Sequence, residues 1–300
     1  MTEVERIISK GIVPKDFLKE ETRCDFFVDE KRKKIWAVGL DLLIEFDRVC
    51  KKHGLKYFLI GGSQLGAVRH NGFIPWDDDI DVGMLRCDYE KFFTLADEFE
   101  KPYFLQTPYT DKGYYFSFAK LRNSNTSCIS KAFRYESFNQ GIAVDIFPFD
   151  NCILEGVQDR FNRIHKLNLD NSNYMRKSLV NPSEEDKRRI ESHSGRNPLE
   201  VCEEIQKIAR QYENDDTEYV NLAVCTIYPY DRLLYKKSVF KEIVYHEFEN
   251  MKFPILKNYD EYLKISFGDY MKFPPVEKRG VWHESVVFDP ERSYREKQQS

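Results

Sequence analysis

The chain has no Cys-x-x-Cys pair. Its seven cysteines, Cys24, Cys50, Cys87, Cys128, Cys152, Cys202 and Cys225, are odd in number and scattered without framework spacing. That pattern excludes a disulfide scaffold and predicts reduced thiols in a cytosolic protein. Nor is there an apolar run long enough to span a bilayer, and the opening MTEVERIISK lacks the basic-then-apolar layout of a secretion signal. The expectation is a soluble intracellular protein, with room left for a peripheral contact at the inner face of the cell membrane. An excess of positive charge is also missing: the net charge is −4, so no global basic field marks a nucleic-acid binder. No Gly/Ser linker, low-complexity tract or internal repeat divides the 300 residues. What the chain does have in quantity is aromatic side chains, 23 Phe and 18 Tyr, enough to fill a core and to leave rings that could stack on a base or cover a cationic head group.

One stretch organises the rest. Gly61 to Asp81 reads GGSQLGAVRHNGFIPWDDDID and follows the apolar run Tyr57 to Ile60. In an extended strand alternate side chains share a face, so Asp79 and Asp81 are predicted to point one way while Ile80 and Val82 enter the core. Two carboxylates so close repel unless a cation neutralises them, and a hard divalent ion that leaves positions open for phosphate suits the task. Gly61, Gly62 and Ser63 supply a turn where backbone N–H groups can approach an anion, and a helix beginning near Ser63 would add its positive end. Arg69 could clamp a phosphate bidentately or pair with an Asp of the next loop. His70 reads as a capping or packing residue, and Trp76 as core or as a lid.

A second carboxylate-bearing strand follows. In Gly141 to Asp150, GIAVDIFPFD, Asp145 sits in a run too apolar for an exposed strand, so it needs a partner or a metal. Asp150 reads as a cap. Between the two stretches, Tyr114 to Arg122 alternates as a strand whose Lys120 and Arg122 share a face before an Asn-Ser-Asn turn. Two like charges on one face require an anion or open solvent.

The run GGSQLGAVRHNGFIPWDDDIDVGM, followed by Asp88, Tyr89 and Phe92, resembles the signature of the LicD family of phosphotransferases, within the nucleotidyltransferase superfamily and related to fukutin-related protein. The resemblance is strong over Lys31 to Asp150 and moderate over Phe240 to His283. It implies an α/β (α+β) fold: a nucleotidyltransferase-like mixed sheet flanked by helices, with a helical subdomain and a C-terminal return segment. It also implies that Asp79, Asp81 and Asp145 bind Mg²⁺ (or Mn²⁺), with Asp145 the third metal ligand or the base for an acceptor hydroxyl. Gly61, Gly62, Ser63, Arg69, Lys120 and Arg122 would then face substrate phosphate. The Cys-rich insert of the fukutin-related branch is not apparent, so no zinc is expected.

Remaining elements follow from periodicity. Helices are predicted over Lys31 to His53, around Leu65 to Arg69, over Asp88 to Phe99 and over Asp260 to Phe267 with Gly268 as the stop; residues 157 to 213 are polar and helical in pattern. Ile243 to Phe248 and Met251 to Ile255 flank Glu249-Asn250 as a hairpin. The expected organisation is a catalytic core over 1–150, a helical subdomain over 151–234 and a segment over 235–300 that packs back on the core. The implied reaction transfers a phospho-alcohol, phosphocholine-like, from a CDP-activated donor to a hydroxyl of a cell-surface glycan such as lipopolysaccharide or teichoic acid, or of its lipid-linked precursor, releasing CMP. The alternative is a nucleotidyltransferase that takes an NTP and releases pyrophosphate.

Overall fold

The structure is a computed structural model and describes residues 1–225, 228–280 and 285–297; His283, expected in a closing tail, lies outside the described residues. Its centre is a seven-stranded mixed sheet. The strands are β1 (Phe58–Leu59), β2 (Ile80–Leu85), β3 (Tyr103–Gln106), β4 (Ala119–Asn123), β5 (Ile142–Cys152), β6 (Tyr219–Asn221) and β7 (Leu234–Lys236). The long β5 carries the sheet. Along one edge it pairs in parallel with β2, and β2 pairs antiparallel with β1. The other edge is shared, with β4 and then β3 beside its first half and β6 and then β7 beside its last residues.

The helices that matter here are α1 (Glu30–Lys52), α2 (Gly61–His70), α3 (Arg86–Phe93), α4 (Val157–Met175), α5 (Pro198–Ala209) and α6 (Tyr259–Phe267). The first forms where the apolar three- and four-residue spacing places it. Asp29 caps it by accepting the Arg32 N–H, and His53 and left-handed Gly54 end it. Its buried stripe, including Trp36, Leu42 and Phe46, packs on Ile80, Val82, Met84, Val144 and Ile146 from one face of the sheet. The opposite face gathers Phe58, Phe147, Phe149 and Val220 against Phe161 and Ile164 of α4, Val201 and Ile205 of α5, and Tyr262 of α6. Period-two alternation therefore puts Asp81 and Asp145 on this second face, away from α1.

Three local expectations change. The helix expected over Asp88 to Phe99 is α3, which stops at Phe93 before a separate 3₁₀ turn at Ala96–Glu98. The strand expected from Tyr114 starts only at Ala119, because Tyr114 to Phe118 form an aromatic knot: Tyr114 is fully buried, its hydroxyl donates to the Phe118 carbonyl, and its ring meets Phe116 and Phe138. Asp150, expected as a cap, is instead a buried partner of Arg86, whose Nε and Nη2 donate to its two oxygens at 2.6 and 2.9 Å. The hairpin appears as expected over Ile243–Phe248 and Met251–Leu256, with Glu249 and Asn250 both at positive φ, the conformation its two-residue turn demands. Among the described residues no helix is long and apolar enough to cross a membrane.

Candidate active site

The acidic stretch and the Gly-Gly-Ser turn meet where α2 begins. The turn is the first turn of the helix itself: α2 opens at Gly61, whose φ of +51° is left-handed and suits glycine. A Cβ on Gly62 would stand 2.5 Å from Asp77 Oδ2, and one on Gly61 would stand 3.2 Å from Asp81 Oδ2. The glycines thus make room for the protein's own carboxylates at the positive end of the helix. Gly61 N–H donates to the hydroxyl of buried Tyr262 at 3.1 Å, and Ser63 Oγ accepts the Asp81 N–H at 2.9 Å, which fixes β2 against the helix.

Asp79 stands just before β2, and Asp81 lies on it. In the parallel register Asp81 faces Asp145 across β5, and Asp145 faces Lys120 across β4. Partners in register on adjacent strands share a face about 5 Å apart, so Asp81, Asp145 and Lys120 form a row. Lys120 Nζ donates to both oxygens of Asp145 at 2.7 and 2.6 Å and lies over the Phe118 ring. A bidentate contact of this kind orients the carboxylate while both side chains stay partly open to solvent.

Beside this row sits a second acidic group. Asp77, Asp78 and Asp79 each bring a carboxylate oxygen within 4.8 Å of the others. Asp77 is pushed well above the ordinary carboxylate range, first by burial and then by the charge of Asp79, a hydrogen bond with Asp79 and the charge of Asp78. Its backbone carbonyl is held by Trp36 Nε1 at 2.9 Å and Arg32 Nη1 at 3.0 Å, so it cannot swing out of the cluster. A carboxyl forced toward protonation by neighbouring carboxylates is what a bound hard cation would relieve, and oxygen donors in this number suit Mg²⁺ or Mn²⁺.

Asp77 was absent from the expected site. The only sequence signal for it is its place in the Trp-Asp-Asp-Asp-Ile-Asp run, where it reads as loop. Tyr228 was also missed: its hydroxyl is pushed up by burial first, then by the charges of Cys225, Asp81, Asp77 and Asp79. It comes from the stretch between β6 and β7, where sequence periodicity gives no guide.

Two expected phosphate ligands are engaged elsewhere. Arg122 is buried, donating from Nε to Gln106 at 2.6 Å and from Nη1 to the Gly141 carbonyl at 2.5 Å. Arg69 neither reaches the acidic group nor pairs with an Asp of the loop; its Nη1 donates to the Tyr270 carbonyl at 2.6 Å and its Nε to His70 Nε2 at 2.9 Å.

That last bond fixes the tautomer of His70. Its Nε2 lone pair is occupied, so the ring proton sits on Nδ1, 3.6 Å from Cys24 Sγ. Burial, then Arg69, then Arg23 push the imidazole down to about 4. An unfolded histidine titrates near 6.5, so between these values the unfolded chain binds the extra proton. The stability from keeping His70 neutral is full above pH 6.5 and is lost as pH falls toward 4. The expected loss is about 1–2 kcal/mol after allowance for partial exposure. A urea-denaturation series over this window should show the acid limb flattened in His70→Gln; an unchanged limb would contradict the assignment.

Comparison with known proteins agrees with this geometry. The family model for the LicD/FKTN/FKRP nucleotidyltransferase domain matches residues 54–191. The chain is 28% identical over 258 residues to the lipopolysaccharide cholinephosphotransferase LicD of Haemophilus influenzae, covering 82% of this chain and 93% of that protein. It is also 53% identical over 36 residues to the ribitol 5-phosphate transferase FKRP of Homo sapiens, 12% of this chain and 7% of that protein. The matched span holds α2, both acidic groups, Lys120 and Asp145, so the chain carries a LicD-type nucleotidyltransferase domain over residues 54–191, and its similarity to the cholinephosphotransferase LicD supports a phosphotransferase enzyme.

Proposed function

We propose that this protein transfers a phospho-alcohol, of the phosphocholine type, from a CDP-activated donor to a hydroxyl of a cell-surface glycan or its lipid-linked precursor, releasing CMP. The observation that carries the reading is the register of β2, β5 and β4, which lines up Asp81, Asp145 and Lys120 beside Asp77–Asp79 at the start of α2. The relative whose name specifies cholinephosphotransfer spans most of the same chain, which supports the choice of a phospho-alcohol over a nucleotide.

Asp77, Asp79, Asp81 and Asp145 are the proposed holders of Mg²⁺ or Mn²⁺. When bound, such an ion would neutralise the donor's diphosphate and the charge that develops on the transferring phosphorus. As the alternative to holding the ion, Asp145 takes the proton of the acceptor hydroxyl; that hydroxyl's oxygen bonds to the phosphorus carrying the alcohol. The bond from that phosphorus to the bridging oxygen breaks, and its electron pair leaves with CMP. Lys120 holds Asp145 in position and supplies positive charge beside the phosphate. The core over 1–150 would supply the chemistry, with residues 151–234 and 235–300 enclosing it, and the enzyme would work in the cytoplasm or at the inner face of the membrane.

³¹P NMR of the reaction with glycan extract as acceptor tests this, using CDP-choline, CDP-ribitol and CDP-glycerol against CTP. The expected result is CMP together with a new phosphodiester from one CDP-alcohol. Pyrophosphate from CTP, with nucleotide left on the acceptor, would replace this reading with nucleotidyl transfer.

A further inference from the structure

Away from the carboxylates, Arg69 of α2 and Arg279 of the C-terminal segment share one aromatic ring without acidic partners among the described residues. Phe273 carries one guanidinium 5.0 Å from its ring centre, that of Arg69, and a second at 5.5 Å, that of Arg279. Arg279 also lies 5.0 Å from the Trp76 ring centre. Their protein acceptors are neutral. Arg69 uses the Tyr270 carbonyl and His70 Nε2, and Arg279 uses the Pro274 carbonyl at 2.9 Å and the Cys24 carbonyl at 3.1 Å. Among the described residues neither guanidinium has a carboxylate within 4.0 Å, although Arg23 close by pairs with Glu249.

Two half-buried like charges on one aromatic ring repel, and the repulsion persists until an anion joins them. Both arginines leave Nη2 without a protein acceptor among the described residues. A guanidinium held flat on an aromatic ring keeps its outward N–H groups aimed, which is how arginine recognises phosphate. We propose that Arg69 and Arg279, stacked on Phe273, form a subsite for a phosphate-type oxyanion of a substrate.

This rests on the reading that the aspartates hold the donor's diphosphate. Arg69 lies eight residues along α2 from Gly61, about 12 Å at the helical rise. That separation favours a phosphate on the acceptor over the diphosphate at the aspartates.

The test is calorimetric titration of the full chain with inorganic phosphate and pyrophosphate in the absence of divalent metal, which needs no turnover. The expected result is saturable binding weakened about tenfold in Arg279→Gln and partly retained in Arg279→Lys. Repeating it with saturating CMP and Mg²⁺ separates the sources: unchanged phosphate affinity assigns the subsite to the acceptor, and competition assigns it to the donor. Absence of saturable binding, or equal affinity in Arg279→Gln with an unchanged circular dichroism spectrum, would overturn the subsite. It would leave the aspartates' role to the transfer assay.

Discussion

Asp81→Asn is expected to lower kcat/KM for the donor by about 10³-fold or more while the fold persists. Asparagine keeps the shape of the side chain, and the contact that fixes the backbone here is the Asp81 N–H to Ser63 Oγ, which the substitution leaves intact. What disappears is negative charge at the end of the row formed by Asp81, Asp145 and Lys120 that lies beside Asp77 and Asp79. Asp145→Asn should be as severe, and the double variant little worse than either single one, because groups that act as a unit do not add. Urea denaturation accompanies the kinetics. A loss of activity matched by a loss of stability would recast Asp81 as structural, and full activity would remove it from the site.

The second large effect is on stability. Arg86 and Asp150 are 4% and 1% exposed, and they meet through two parallel hydrogen bonds. Arg86 Nη1 also donates to Glu90 and to Gln206, each at 2.9 Å, and Gln206 in turn donates to the Ser117 carbonyl. The network fastens α3, β5 and α5 together behind the catalytic row. Arg86→Met leaves a carboxylate buried without its cation, for an expected cost of about 3–5 kcal/mol. Arg86→Met with Asp150→Leu should recover most of that, because the stranded charge is gone as well. If the single variant lost less than about 1 kcal/mol in denaturant unfolding, the pair would not be a fastening of the fold.

Legibility in the sequence followed the range of the forces involved. Helix α1, strand β5 and the Glu249-Asn250 hairpin were readable because each is fixed by neighbours three, two or one residue away. Asp79, Asp81 and Asp145 were readable as candidates because carboxylates set among apolar strand residues need a reason to be there; that β2 and β5 run in parallel with Asp81 opposite Asp145 is a tertiary fact. The place of Arg69 was not readable, because the carbonyls that hold it, those of Tyr270 and Lys272, lie two hundred residues on. Asp150 misled for the same reason, its partner Arg86 lying 64 residues back. Asp77 was hidden by its own neighbours. In a run of three aspartates nothing local says which one the helix will enclose, and only the approach of Gly62 decides it.

The most direct measurement of the central claim is calorimetric titration of CDP-choline, CDP-ribitol, CDP-glycerol, CMP, CTP, ATP and UTP into the protein, with and without Mg²⁺. Divalent-dependent binding of one CDP-alcohol, lost in Asp81→Asn, is the expected result. Binding that ignores the metal, or that prefers an intact triphosphate, would contradict a phospho-alcohol transfer site built on these aspartates.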